Sequence, residues 1–193
     1  MKVPLPSKVR RILIRLALAG SVLLLSACAG YGGSNLLAGT STLSEVVASM
    51  GEPAMRWKEA DGREQLAYPR GPEGTQTFMV SIGADGRLER IERVLDAEHF
   101  ARIRPGTDQD SVLRLLGPSA PQLTAYFERR NELVWEWRFC DAWSQVALFD
   151  VLFDATTGIV RSTYQHPDYR WPGGMFGMFG SRESGGRVPS CGR

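Results

Sequence analysis

The sequence predicts an α+β protein made of two tandem units, each with short helices packed on one face of an antiparallel sheet. Three observations predict it. The chain resembles itself at an offset of about 67 residues. Each copy contains a short apolar helical stripe that stops at a glycine with a proline just behind it. Each copy then continues into strands whose residues alternate between apolar and polar, joined by tight turns.

The first unit spans 36–95 and the second 96–164. Leu36-Leu37-Ala38-Gly39-Thr40 aligns with Ile103-Arg104-Pro105-Gly106-Thr107, and Val46 to Pro53 aligns with Val112 to Pro118. Leu66-Ala67-Tyr68 matches Leu133-Val134-Trp135, and Val80-Ser81-Ile82 matches Val151-Leu152-Phe153. In the first unit Thr42, with Glu45 three residues on, reads as a capping box. Leu43, Val46, Val47 and Met50 then share one helical face. Gly51 can take a positive φ and Pro53 stops the helix. Phe78, Val80 and Ile82 point inward from a strand, with Thr77 and Ser81 opposite, and Ala84-Asp85-Gly86-Arg87 forms a hairpin turn.

The second unit repeats this logic. Asp96 to Ile103 reads as a short helix with Phe100 and Ile103 turned inward. Thr107 caps the next helix with Asp110 at its third position, and Val112, Leu115 and Leu116 form its apolar stripe before Gly117-Pro118. Leu133, Trp135, Trp137 and Phe139 face one side of a strand, with Glu136 and Arg138 on the other. Phe149, Val151 and Phe153 form the matching row, with Asp150 and Asp154 opposite on a solvated face, and residues 155–158 make the turn. Burying such rows calls for an antiparallel sheet covered by helices.

Ahead of both units lies a leader. Lys2, Lys8, Arg10, Arg11 and Arg15 precede an apolar run from Leu16 to Leu25, which closes on Leu25-Ser26-Ala27-Cys28. A basic start, a short apolar stretch and small residues before a cut site make a secretory signal over 1–27, too short for a membrane span. Leu-Ser-Ala-Cys resembles the lipobox of bacterial lipoproteins. That resemblance implies acylation of Cys28, which becomes the first mature residue, with 28–35 as a flexible tether. Ala29 in the second mature position implies an outer-membrane address, facing the periplasm.

The leader also distorts the charge balance. Taking its five cations from the 23 of the chain leaves 18 against 21 acids, so the remainder is acidic by three charges rather than basic. Nucleic acid is therefore not an expected partner. Catalysis finds no support either. The two histidines, His99 and His166, lack metal-ligand spacing. His99 reads as a structural or surface residue and His166 as part of a turn. No nucleophile elbow, phosphate loop or calcium loop is present. No cofactor, metal or catalytic residue is expected.

Aromatic residues give the better functional lead. Trp135, Trp137 and Phe139 suit a core, whereas Trp143, at the turn Asp141-Ala142-Trp143-Ser144, is less easily buried. Trp143 with Tyr126 and Phe127 is the candidate partner-binding edge, because exposed tryptophan and tyrosine anchor interfaces. Cys140 and Cys191 either pair in an oxidising compartment or remain as two thiols. The tail 165–193, rich in Gly, Pro, Met and Phe without periodicity, reads as disordered or as a segment that orders on a partner.

The run Ile103 to Thr107, then Val112 to Pro118, then Trp135-Glu136-Trp137 resembles the SmpA/OmlA (BamE-like) family of small outer-membrane lipoproteins. The family implies two helices on a three-stranded antiparallel sheet and a role in outer-membrane protein assembly. Tandem units also resemble the beta-lactamase inhibitor protein architecture, which grips a target across its sheets. The resemblances cover 36–164 and transfer no binding residues. They imply a lipid-anchored, non-catalytic protein-interaction module in outer-membrane protein assembly or envelope integrity. The alternative is an anchored binding or inhibitory module for a single periplasmic target.

Overall fold

The computed structural model describes residues 33–70, 74–168 and Cys191. The expected leader, the site of acylation at Cys28 and most of the tail lie outside them. The described chain has two four-stranded antiparallel sheets and a few short helices, an α+β fold in two units. Helix α1 (Leu43–Met50) opens the first unit, followed by β1 (Met55–Lys58), β2 (Glu64–Arg70), β3 (Gln76–Ile82) and β4 (Leu88–Arg93), paired in that order. The second unit begins with α2 (Ala97–Phe100) and α3 (Gln109–Leu116). Its sheet consists of β5 (Ala125–Phe127), β6 (Glu132–Cys140), β7 (Val146–Asp154) and β8 (Val160–Pro167), again in chain order. Each sheet thus has one strand more than the three the family resemblance implies.

Local chemistry explains the helix ends. The Thr42–Glu45 capping box is present: Thr42 accepts from the Glu45 N–H at 3.3 Å, and Glu45 accepts from the Thr42 N–H at 2.7 Å. In α3 the cap is Asp108 rather than Thr107; its carboxylate accepts from the Ser111 N–H at 2.8 Å and the Ser111 hydroxyl at 2.8 Å. A carboxylate at the N-cap also meets the positive end of the helix dipole. Thr107 instead accepts the Arg104 N–H in the preceding turn. Gly51 and Gly117 end α1 and α3 at φ 81, ψ −172 and φ 74, ψ −170, a region open essentially to glycine.

Two cores follow from the two apolar rows. Val46 and Met50 of α1 bury against Leu66, Tyr68, Val80, Ile82 and Leu88. Phe100, Ile103, Val112 and Leu116 bury against Trp137, Phe139, Phe149, Val151 and Phe153. Phe100 stacks on Phe149 at 4.0 Å between ring centres and meets Phe139 edge-on at 4.9 Å.

Helix α3 serves both sheets. On its other side it lies against the back of the first sheet, where the Gln65 side-chain amide donates to the Arg114 carbonyl at 2.8 Å. The Trp57 indole donates to Asp110 at 3.3 Å, and the Arg114 guanidinium sits 5.6 Å from the Trp57 ring while pairing with Asp110 and Glu59. A Cβ on Gly117 would stand 2.8 Å from Thr77 Cγ2 and 3.3 Å from Ala67 Cβ. The order of layers is therefore helix α1, first sheet, helix α3, second sheet.

Two expected boundaries move. Strand β8 runs to Pro167, and Asp168 donates its N–H to Val146 at 3.1 Å, so the ordered second unit extends past 164. Backbone pairing with β7 decides this, and side-chain composition gave no sign of it. The expected disorder of the tail falls on residues outside those described. The tether over 28–35 also shortens. Gly33 is buried, and a Cβ there would lie 2.9 Å from Ile91 Cδ1 and 3.1 Å from Met50 Sδ. Asn35 accepts from the Ser49 hydroxyl at 3.0 Å.

Candidate interaction surfaces

The three aromatic residues expected to form one edge are all exposed: Trp143 is 80%, Tyr126 59% and Phe127 43% accessible. The structure does not bring them together. Tyr126 and Phe127 lie on the edge strand β5, opposite Leu133 and Glu132 at the start of β6. Trp143 lies past the end of β6 in the hairpin after Cys140. Leu133 and Cys140 are seven positions apart along β6, roughly 24 Å. The single edge is thus corrected to two separate sites, because the nine-residue strand β6 lies between them.

The Trp143 hairpin is tightly specified. The Asp141 carboxylate accepts from the Trp143 N–H at 2.9 Å and the Gln145 N–H at 2.8 Å. Asp141 N–H donates to the Gln145 carbonyl at 2.9 Å, and Ser144 N–H donates back to the Asp141 carbonyl at 3.0 Å. Ser144 sits at φ 58, one of two non-glycine residues with positive φ among those described. Cys140, at the neck, is disulfide-bonded to Cys191, with Cα atoms 5.8 Å apart. At the other site the Arg130 guanidinium lies 4.4 Å from the Phe127 ring and pairs with Glu132 at 2.8 Å.

Between the two sites lies the outer face of the second sheet, which carries charge that sequence reading placed in solvent. Asp150 is 3% accessible, not solvated, and accepts from His166 Nε2 at 3.1 Å. His166 therefore belongs to a strand rather than a turn, and its ring stacks near Tyr164 at 5.5 Å. Asp150 Oδ1 is buried and makes no hydrogen bond of acceptable geometry. Burial pushes the Asp150 carboxyl above the ordinary range, partly opposed by His166. One step along, Arg138 and Asp168 form a buried pair at 2.8 Å, 8% and 1% accessible. Asp154, on the same strand, is the opposite case. The Thr157 N–H and Arg161 hold it down at about 2.

His99 is a structural residue, 5% accessible, with Nδ1 2.8 Å from Asp96 at the start of α2. Among the described residues no group of three His, Cys, Asp or Glu side chains could hold a metal ion. No described helix is long and apolar enough to cross a membrane.

Comparison with known proteins adds little. No family model matches the chain, and no curated protein does. Among solved structures, an extracellular protein containing a SCP domain from Bacillus anthracis str. Ames aligns at 14% identity and a TM-score of 0.25. That alignment covers 69% of this chain and 45% of the other, so this chain spans less than half of it.

Proposed function

We propose that this chain is a lipid-anchored, non-catalytic protein-interaction module of the bacterial outer membrane, acting in outer-membrane protein assembly or envelope integrity. The observation that carries it is the pairing of a Leu-Ser-Ala-Cys28 leader with tandem sheets whose last sheet ends in the exposed aromatic edge Tyr126–Phe127. The likeness of 103–118 and 135–137 to the SmpA/OmlA family supports the partner class. A short edge strand with exposed aromatic rings and a guanidinium suits a protein surface, where Tyr and Arg dominate binding energy. A disulfide between Cys140 and Cys191 agrees with an oxidising compartment.

The test is cross-linking of the acylated chain in native membranes, followed by affinity capture and mass spectrometry, with Cys28→Ala as control. Outer-membrane assembly proteins recovered with the parent and lost in the control support the reading. A single periplasmic protein retained in the control favours an anchored inhibitory module instead. Tyr126→Ala with Phe127→Ala should remove the captured partner while leaving membrane attachment intact.

A further inference from the structure

The direction of the elements defines two ends of the molecule. Helix α1 starts beside Arg87, through the Thr42–Arg87 bridge, and ends at Met50, whose carbonyl accepts from Arg70 at the end of β2. Helix α3 runs the same way along the back of that sheet, from Trp57 and Gln65 toward Ala67 and Thr77. It also runs along β6. Asp108 bridges Ile159 near the start of β6, and the Gly117 carbonyl accepts from the Trp137 indole at 3.2 Å further along. Strands β2 and β6 therefore both point in the direction of α3. The ends of β2 and β6 lie at one end of the stack, with the Asp141–Gln145 hairpin beyond the latter.

The chain enters at that same end. A Cβ on Gly33 would stand 3.1 Å from Met50 Sδ, and Asn35 accepts from the Ser49 hydroxyl, both in the last turn of α1. Cys28 precedes Gly33 by five residues, which span at most about 18 Å however they are arranged. An acyl chain on Cys28 would hold this end of the stack against the bilayer.

We propose that Trp143 rests in the lipid–water interface beside the anchor, so that the second unit touches the membrane through its β6–β7 hairpin. The proposal rests on the anchored reading above. Indole suits this position, with an apolar ring and an N–H that can stay hydrated. The hairpin from Cys140 to Val146 contains no lysine or arginine and one acid, Asp141. Attraction to anionic headgroups thus plays no part, and an uncharged interface is the fitting occupant. The Asp141 hydrogen bonds and the Cys140 disulfide fix the loop beforehand, so little ordering is needed on contact. Contact by two points, acyl chain and indole, would set the orientation that turns Tyr126 and Phe127 away from the membrane.

The experiment uses the acylated full chain on phosphatidylcholine vesicles carrying brominated acyl chains, comparing the parent with Trp143→Phe and with Cys28→Ala. Acylation is read from the intact mass of the same sample. The expected result is quenching of tryptophan fluorescence several-fold stronger in the parent than in Trp143→Phe, unaffected by salt and absent in Cys28→Ala. Equal quenching in parent and Trp143→Phe, with acylation intact, overturns this proposal and leaves the anchor standing. A mass without acyl chains overturns both.

Discussion

The two units share a plan and differ in what lies on the second face of the sheet. In the first unit that face carries Trp57, Gln65, Ala67, Thr77 and Met79, and it receives α3 of the second unit. In the second unit the equivalent face carries Glu136, Arg138, Asp150 and His166, where buried Arg138 pairs with buried Asp168 and buried Asp150 with the half-buried His166. Position in the stack, rather than the repeat itself, shifts the chemistry: the inner sheet receives α3 on Trp57, Gln65, Ala67 and Thr77 and leaves its Arg90–Glu92 pair partly exposed, whereas the terminal sheet buries Arg138 against Asp168. Repeat proteins follow the same rule, with polar outer faces on their terminal units.

The largest difference between the two sheets is expected on removing one partner of the terminal ion pair. Arg138→Ala removes a guanidinium paired with Asp168 in a buried setting, and should cost several-fold more in chemical denaturation than the loss of an exposed pair. An exposed pair gives the contrast: Arg56→Ala, on the α1 side of the first sheet, removes an exposed partner of Glu64 and should cost no more than about 1 kcal/mol. Equal losses would show that the outer face is wet.

Glycine separates backbone strain from stacking. Gly51 and Gly117 have nearly the same φ and ψ, but only Gly117 has a neighbour in the way. Gly117→Ala should be worse than Gly51→Ala by about 1–3 kcal/mol, the usual range for overpacking. Matching values would mean that α3 does not lie against the first sheet.

Charge on the outer face should also show in pH. The folded pKa of Asp150 is raised by burial, so its contribution favours the fold below the ordinary value of 3.8 and is lost as pH rises through the folded value. Asp150→Asn should therefore gain on the parent as pH increases over that window, then run parallel. A gap independent of pH contradicts the burial. The smallest effect belongs to the first core, where the Tyr68 hydroxyl is buried without a hydrogen-bond partner among the described residues. Tyr68→Phe should be neutral or stabilising, within about 1 kcal/mol, because no hydrogen bond is lost.

Much of the fold was legible because local rules suffice for it. The Thr42–Glu45 box, the glycine stops and the alternating rows at 133–139 and 149–153 each depend on a few adjacent residues. Long-range features were not. Asp150 is a carboxylic residue that alternates with apolar neighbours, which is also the pattern of a solvated face; its burial and its pairing with His166, 16 residues on, come from the packing of β8. The double role of α3 left one weak trace, the small residues Ala67 and Gly117 that permit close approach. Tyr126, Phe127 and Trp143 are exposed aromatics that sequence suggests as an interface, but their separation depends on the length of β6 between them.

The two ends of the stack are expected to face different neighbours. Hydroxyl-radical footprinting of the acylated chain, on plain phosphatidylcholine vesicles and in native outer membranes, tests it directly. Protection of Trp143 on both, with protection of Tyr126 and Phe127 only in native membranes, is the predicted pattern. Trp143 labelled freely on both, or Tyr126 and Phe127 labelled equally in the two settings, would contradict it.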